Sequence, residues 1–542
     1  MQAIKINYHR IKQIEPYFFF FFLIINLIPV FLFKFLPTLD GPSHLHNSNL
    51  INNILFSDSD FIKSFYNLNT ELIPNWSGHF ILSLFNLFLP AWIAEKILIL
   101  TYLIILPLSF RWFIKSISSD NYYLSYFIFP FCYSFTFFLG FYNFSLALVL
   151  LFLILTYWTK IQNNLKSIHF LILFLLFTVL YFSHVFVFLI TTLAIAVIII
   201  KQLTLDIEIN SLYKTFQLFL KKVLFAVLTS AIGIALSLNF LLTREAFGYS
   251  YIPKIELLHW LKNIRPTIVF HFGHEGVYTS ILFYLIAALT TIALFNKVKE
   301  IIKSRPSFTV FIKNSIVQND LWFIFSFILL LLYFFMPDSN GYSGYFTVRL
   351  GLLLYMFYLI WIATRNYSKW IIISSVTLIF IANTGLNYYY LKQVRKLNKQ
   401  AVEINNQSKF IDNNTVVLPM NFSSNWMHGH FSNYLGIDKQ VVILENYECS
   451  TGYFPVKWND DSFPNTTIGT MLKSDFCTDW KTNKSSLKQY QVNYIFIIGN
   501  SKELEDICAQ KSIEMIECNY DMVSQTQNTI LYKLKNNQNN VN

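Results

Sequence analysis

Residues 17–36 read YFFFFFLIINLIPVFLFKFL. A helix of that length rises about 30 Å, the thickness of the hydrocarbon core of a bilayer. Lys5, Arg10 and Lys12 precede it, and the run is too long and too rich in Phe for a cleaved signal. It reads as a retained first membrane helix whose basic flank stays on the cytoplasmic side. Working outward, comparable apolar runs occupy 93–111, 122–139, 141–158, 168–182, 184–200, 222–242, 278–296, 320–336, 349–364 and 370–388. Of 542 residues 54% are hydrophobic and 13% charged, more apolar surface than a soluble domain can enclose. Lipid must be the solvent for much of the chain.

The stretch 76–115 is apolar enough to cross once or twice, broken at Pro90-Ala91-Trp92. Charge chooses between the two. With 76–90 at the interface and one crossing at 93–111, Arg111 and Lys115, Lys160 and Lys166, the lysines of 201–222 and 297–313, and Arg365 with Lys369 all fall inside. The expected fold is a polytopic α-helical membrane protein of about eleven transmembrane helices. It would sit in the inner (plasma) membrane with its N-terminus cytoplasmic. Residues 1–390 form the transmembrane domain, with 37–75 as its first outer loop. Residues 391–535 are richer in Asn, Ser, Asp and Lys and carry short strand-like runs, Thr415-Val416-Val417-Leu418 and Tyr494-Ile495-Phe496-Ile497-Ile498, which predict an extracytoplasmic α/β domain. The tail 536–542 reads as disordered. The formal charge of +11 resides mostly in short linkers, which fits orientation in a membrane and not a groove for nucleic acid.

Cys449, Cys477, Cys508 and Cys518 all fall in the C-terminal third. They allow two disulfides in any of three pairings, or four core thiols.

The topology gathers the long, chemically varied loops on the outer face, where function concentrates. The first of them contains Leu39-Asp40-Gly41-Pro42-Ser43-His44-Leu45-His46. A carboxylate at the membrane boundary is partly desolvated, and its pKa can rise toward that of a useful base. Gly41 allows close backbone approach and Pro42 suits the first turn of a helix. The competing reading is that Asp40 merely caps that helix. Arg349 opens an apolar run at the outer boundary, where it would serve either as a ligand for a lipid phosphate or as a snorkelling anchor. Arg244 and Arg265 are weaker candidates for the same task. His271 and His274 lie three apart without the zinc-protease pattern, so they read, with Tyr345, as donor or acceptor contacts and not as metal ligands. His44, His46 and His79 crowd the first loop, and His44 is placed beside Asp40 as a second catalytic candidate.

Asp40-Gly41-Pro42-Ser43-His44 after a first helix, then Pro74-Asn75-Trp76-Ser77-Gly78-His79, many helices and a C-terminal outer domain resemble the GT-C superfamily of membrane glycosyltransferases. The likeness is closest to its bacterial branch of protein-mannosyltransferase type, and it covers residues 1–390. The resemblance implies transfer of a sugar from a polyprenyl-phosphate donor to a glycan, lipid or protein acceptor on the outer face, with inversion and with Asp40 as the base. Such enzymes commonly carry two adjacent acids there. Gly41 replaces the second, which weakens the case for a bound divalent metal and leaves no cofactor assigned. A transporter or flippase of a lipid-linked precursor and a non-catalytic envelope-assembly scaffold are the alternative readings.

Overall fold

The computed structural model describes residues 8–57, 59–118, 122–209, 212–244, 248–304, 320–341, 343–459, 490–499 and 507–535. Among these, eight helices are long and apolar enough to cross a membrane: Gln13–Leu32, Ala91–Ile117, Tyr142–Ile161, Val185–Leu203, Leu212–Leu242, Phe272–Glu300, Phe346–Ala363 and Lys369–Phe410. Ser167–Ser183 and Leu321–Phe335 are shorter apolar helices. The chain is thus a polytopic helical membrane protein with a C-terminal sheet. Large apolar side chains such as Phe20, Ile24, Phe31, Leu224 and Phe295 stay exposed on these helices, as a lipid-facing surface requires. The stretch 76–90 contains only the ten-residue helix Ser77–Asn86, too short to cross.

One expected span is corrected. Residues 122–139 form no continuous helix but a 3-10 segment, Tyr122–Ile128, and two single turns, Phe129–Cys132 and Phe135–Phe138. Pro130 lacks an N–H, and the Ser134 hydroxyl accepts the Phe137 N–H at 3.2 Å, closing a local turn that competes with a helical ladder. The side chains here are almost entirely enclosed by protein, the condition under which broken backbone is tolerated at membrane depth.

The chain divides into two compact units. One comprises Met1–Pro29, Leu100–Phe138 and Phe144–Lys392, the other Val30–Ile99, Leu139–Asn143 and Gln393–Asn542. In the first, Arg111 makes a two-pronged pair with Glu15, at 2.7 and 2.5 Å, both side chains buried. Paired this way a charge survives burial; unpaired it would not.

The second unit joins residues 37–75 to the C-terminal chain. Among the described residues seven strands are formed: β1 (Tyr66–Leu68), β2 (Thr415–Asn421), β3 (Val441–Ile443), β4 (Val456–Trp458), β5 (Tyr494–Ile498), β6 (Tyr520–Gln525) and β7 (Thr529–Leu534). Five of them make a mixed sheet in the order β3-β2-β5-β7-β6, parallel across β3-β2-β5 and antiparallel beyond. Both faces of β2 and β5 are covered, which explains their unbroken apolar sequences. β1 pairs antiparallel with β4, and Tyr66 stacks on Trp458 at 4.6 Å. Leu50, Ile51, Ile62 and Phe65 enter one core with Val416, Leu418, Val442 and Ile495. Each such side chain contributes about 1.5–3 kcal/mol by leaving water. The loop expected as an appendage of the membrane domain is therefore part of the C-terminal folding body.

The disulfide expectation is corrected in part: Cys449 and Cys518 carry free thiols. Cys449 is sealed in the core beside Asn47. Cys477, the tail 536–542 and the Cys508 side chain lie outside the described residues.

His428 shows how tightly this unit holds polar groups. Its Nε2 lies 2.8 Å from Gln400 Oε1 and its Nδ1 2.7 Å from Ser423 Oγ, and burial pulls its pKa down to about 4. The unfolded chain takes up a proton near pH 6.5 that the folded chain refuses. Stability is complete above about pH 6.5 and falls toward pH 4 at up to about 1.4 kcal/mol per pH unit from this group. Thermal melts of His428→Gln between pH 7 and 4 are expected to show a flatter acid slope than wild type; parallel slopes would remove the assignment.

Candidate functional site

The second unit assembles a polar cluster around the N-terminus of the helix Gly41–Phe56. Pro42 occupies the first turn, and the Gly41 N–H donates to Thr38 Oγ1 at 3.1 Å. Asp40 stands at the cap position, but its carboxylate makes no capping bond. The capping reading is overturned. The side chain faces His430 instead, whose Nε2 lies 3.7 Å from Asp40 Oδ1, and it accepts the Tyr447 hydroxyl. Burial pushes the Asp40 pKa up, opposed by the neighbouring imidazoles of His430 and His44. About 12% of its side chain remains accessible.

His430 is itself held from behind. Its Nδ1 bonds Glu445 Oε1 and its ring stacks on Tyr447 at 4.3 Å. Glu445 Oε2 accepts Ser432 Oγ at 2.8 Å and Asn433 Nδ2 at 2.6 Å, and Asn433 also reaches Ser43 Oγ at 3.2 Å. Burial opposes a charge on His430, but the Glu445 carboxylate outweighs it and raises the pKa. The result is a chain Glu445–His430–Asp40 in which the carboxylate behind His430 favours its cationic form beside the base candidate.

Behind Asp40 lies a closed trio. His44 Nδ1 is 2.6 Å from Glu448 Oε1, and His79 Nε2 is 2.8 Å from Glu448 Oε2. Side-chain exposure is 4% for His44 and 0% for His79 and Glu448. Burial works against the His44 cation, yet Glu448 and Asp40 carry its pKa up to about 9, while the two imidazoles hold Glu448 well below the usual carboxylate range. Asn47 Nδ2 donates to Glu448 Oε2 at 2.6 Å, and Phe454 packs against both histidine rings.

Gly140 closes the cluster. Its backbone is left-handed, φ +84°, and a Cβ there would stand 2.7 Å from the Asp40 nitrogen. Its carbonyl lies 2.9 Å from His44 Nε2. Tyr142 donates to the buried Glu95 at 2.8 Å.

Asp40 and His44, picked from the loop motif, thus sit together. The other sequence candidates belong to the first unit. Arg349 is buried there, its guanidinium 5.9 Å from the Phe144 ring centre and 5.8 Å from that of Phe346. Arg265 lies 3.9 Å over the Phe135 ring. Arg244 sits 4.8 Å over Phe240, and the Tyr345 ring meets Phe135 at 6.0 Å. His271 and His274 are exposed, with ring centres 4.6 Å apart, and the following Glu275 caps its own helix through the N–H groups of Val269, Phe270 and His271. Glu448 and Glu445 were not singled out by the sequence. No local pattern marks Glu448, whose partner His79 lies 369 residues away, and Glu445 meets His430, 15 residues earlier, only through the fold of the loop between them.

Comparison with protein-family models and with curated proteins finds no match for this chain.

Proposed function

We propose that the protein is an integral membrane glycosyltransferase in which Asp40 is the base. The observation that carries the reading is that the Asp40 carboxylate makes no capping bond, is buried with a raised pKa, keeps an accessible edge, and is flanked by the His430 imidazole. A carboxylate so placed can take the proton of an acceptor hydroxyl as that oxygen bonds the anomeric carbon of a sugar. The bond from that carbon to the phosphate oxygen of a polyprenyl carrier breaks on the opposite face, and the carrier leaves as a phosphate, which needs no second acid. Inversion follows. The positive-inside bias of the short linkers supports an extracytoplasmic location for Asp40 and the C-terminal unit in the plasma membrane.

The test is donor-dependent labelling. Purified protein in lipid vesicles, given a polyprenyl-phosphate sugar carrying a radiolabel, is expected to move label to an acceptor in a membrane extract. Absence of transfer from a panel of such donors would favour the scaffold reading.

His430 is expected to act as a positioning residue for Asp40. In His430→Gln the neighbouring positive charge is lost, so the Asp40 pKa climbs further and a larger fraction of the base is protonated near neutrality. Transfer is expected to fall about tenfold, with the acid limb of the rate profile moved to higher pH. An unchanged profile would show that His430 serves packing alone.

A further inference from the structure

We propose that His44, His79 and Glu448 bind a divalent transition metal of the zinc class, which staples the first outer loop to the C-terminal segment. The argument concerns lone pairs. His44 Nε2 lies 2.9 Å from the Gly140 carbonyl and His79 Nδ1 lies 3.3 Å from the Asn75 carbonyl. Carbonyl oxygens only accept, so His44 Nε2 carries the N–H, and His79 Nδ1 carries it in the tautomer that bonds Asn75, whose carbonyl Asn143 Nδ2 also reaches at 3.1 Å. In the neutral rings, His44 Nδ1 and His79 Nε2 then present bare lone pairs to one another at 3.3 Å. Glu448 adds two more acceptor oxygens, one to each histidine. Three acceptors thus converge in a place sealed from water. A proton on His44 Nδ1, with His79 in its Nε2–H tautomer, would pair both rings with Glu448 as a buried imidazolium–carboxylate cluster. One divalent cation reconciles all three at once.

The geometry suits such a cation. Tetrahedral zinc with nitrogen ligands at about 2.0–2.1 Å places those nitrogens about 3.3–3.4 Å apart. The carboxylate approaches are shorter than that, so Glu448 would withdraw by about half an ångström on binding. The outer contacts are those that metal-binding histidines need: each second ring nitrogen is fixed by a backbone carbonyl, and the Glu448 carboxylate is held by Asn47 at 2.6 Å. Two imidazoles with one carboxylate select zinc or a near neighbour over magnesium or calcium, which prefer all-oxygen sites. The ligands come from the helices Gly41–Phe56 and Ser77–Asn86 and from the turn Glu448–Thr451, and they are closed to solvent. Closure marks a structural site, whose binding energy adds to folding. This inference does not rest on sugar transfer.

Full-length protein purified in detergent is expected to carry about one zinc per chain by elemental analysis. His79→Gln and Glu448→Gln are expected to lose it, and Asp40→Asn and His428→Gln to keep it. Stripping with a strong chelator should lower the thermal midpoint by several degrees, and zinc should restore it. Cobalt(II) added to stripped wild type should produce visible d–d bands, a signature independent of whether any variant folds. Folded wild type with neither stoichiometric metal as purified nor cobalt bands would overturn the proposal, as would metal retained in both ligand variants. Loss of transfer in Asp40→Asn with metal retained separates the fate of this site from that of the glycosyltransferase reading.

Discussion

Asp40→Asn is expected to reduce sugar transfer from a polyprenyl-phosphate donor by about 10²–10⁴-fold, the usual worth of a positioned general base. Asn has the shape of Asp but cannot take the acceptor proton. The substitution is expected to spare the fold. The wild-type carboxylate caps nothing, and burial already disfavours its charge, so a neutral isostere removes a cost along with the ion pair to His430. The thermal midpoint should therefore move by no more than about 2–4 °C. Label transfer and a melt on the same preparation give both readouts. Activity within a factor of two of wild type would sink the assignment of Asp40, whatever else the protein does. An inactive but unfolded variant is excluded by the melt.

Gly140→Ala is expected to damage both activity and stability. The left-handed backbone at φ +84° costs an L-residue with a Cβ about 1–2 kcal/mol. The new methyl would lie 2.7 Å from the Asp40 nitrogen and 2.8 Å from the Asp40 Cβ, so one of the two segments must shift. Overpacking of this kind adds about 1–3 kcal/mol. The shift falls on Asp40 and, through the Gly140 carbonyl, on His44. A displacement of about an ångström at a reacting group can by itself cost on the order of 100-fold in rate. Transfer should accordingly fall further than the melt alone would explain, and Gly140→Ala with a wild-type rate would show that Asp40 tolerates displacement. Because the two variants act on one carboxylate, Asp40→Asn should mask most of the catalytic effect of Gly140→Ala in the double variant.

The membrane helices were legible in the sequence because the bilayer imposes a length and a composition that few other structures share. Residues 17–36, 141–158 and 349–364 carry that signal plainly. The passage 122–139 carries the same composition and yet is broken, since enclosure by protein supplies to Pro130 and its neighbours what an unbroken helix supplies elsewhere. Composition reports apolar surroundings; it does not say whether lipid or protein provides them. The strands β2 and β5 were legible for a similar reason, as β-branched runs buried on both faces.

Sequence by itself determined that Asp40 follows an apolar helix long enough to cross a bilayer and precedes a proline-started one, because that statement needs only neighbours along the chain. Tertiary structure alone decided that the carboxylate turns away from its own helix toward His430, and that His44 and His79 meet Glu448. Those pairings join residues as far as 369 positions or more apart, and a burial that makes a carboxylate or an imidazole chemically unusual is a property of what surrounds it in space. The same separation explains why residues 37–75 read as part of the membrane domain although β1 and β4 fold them into the C-terminal unit.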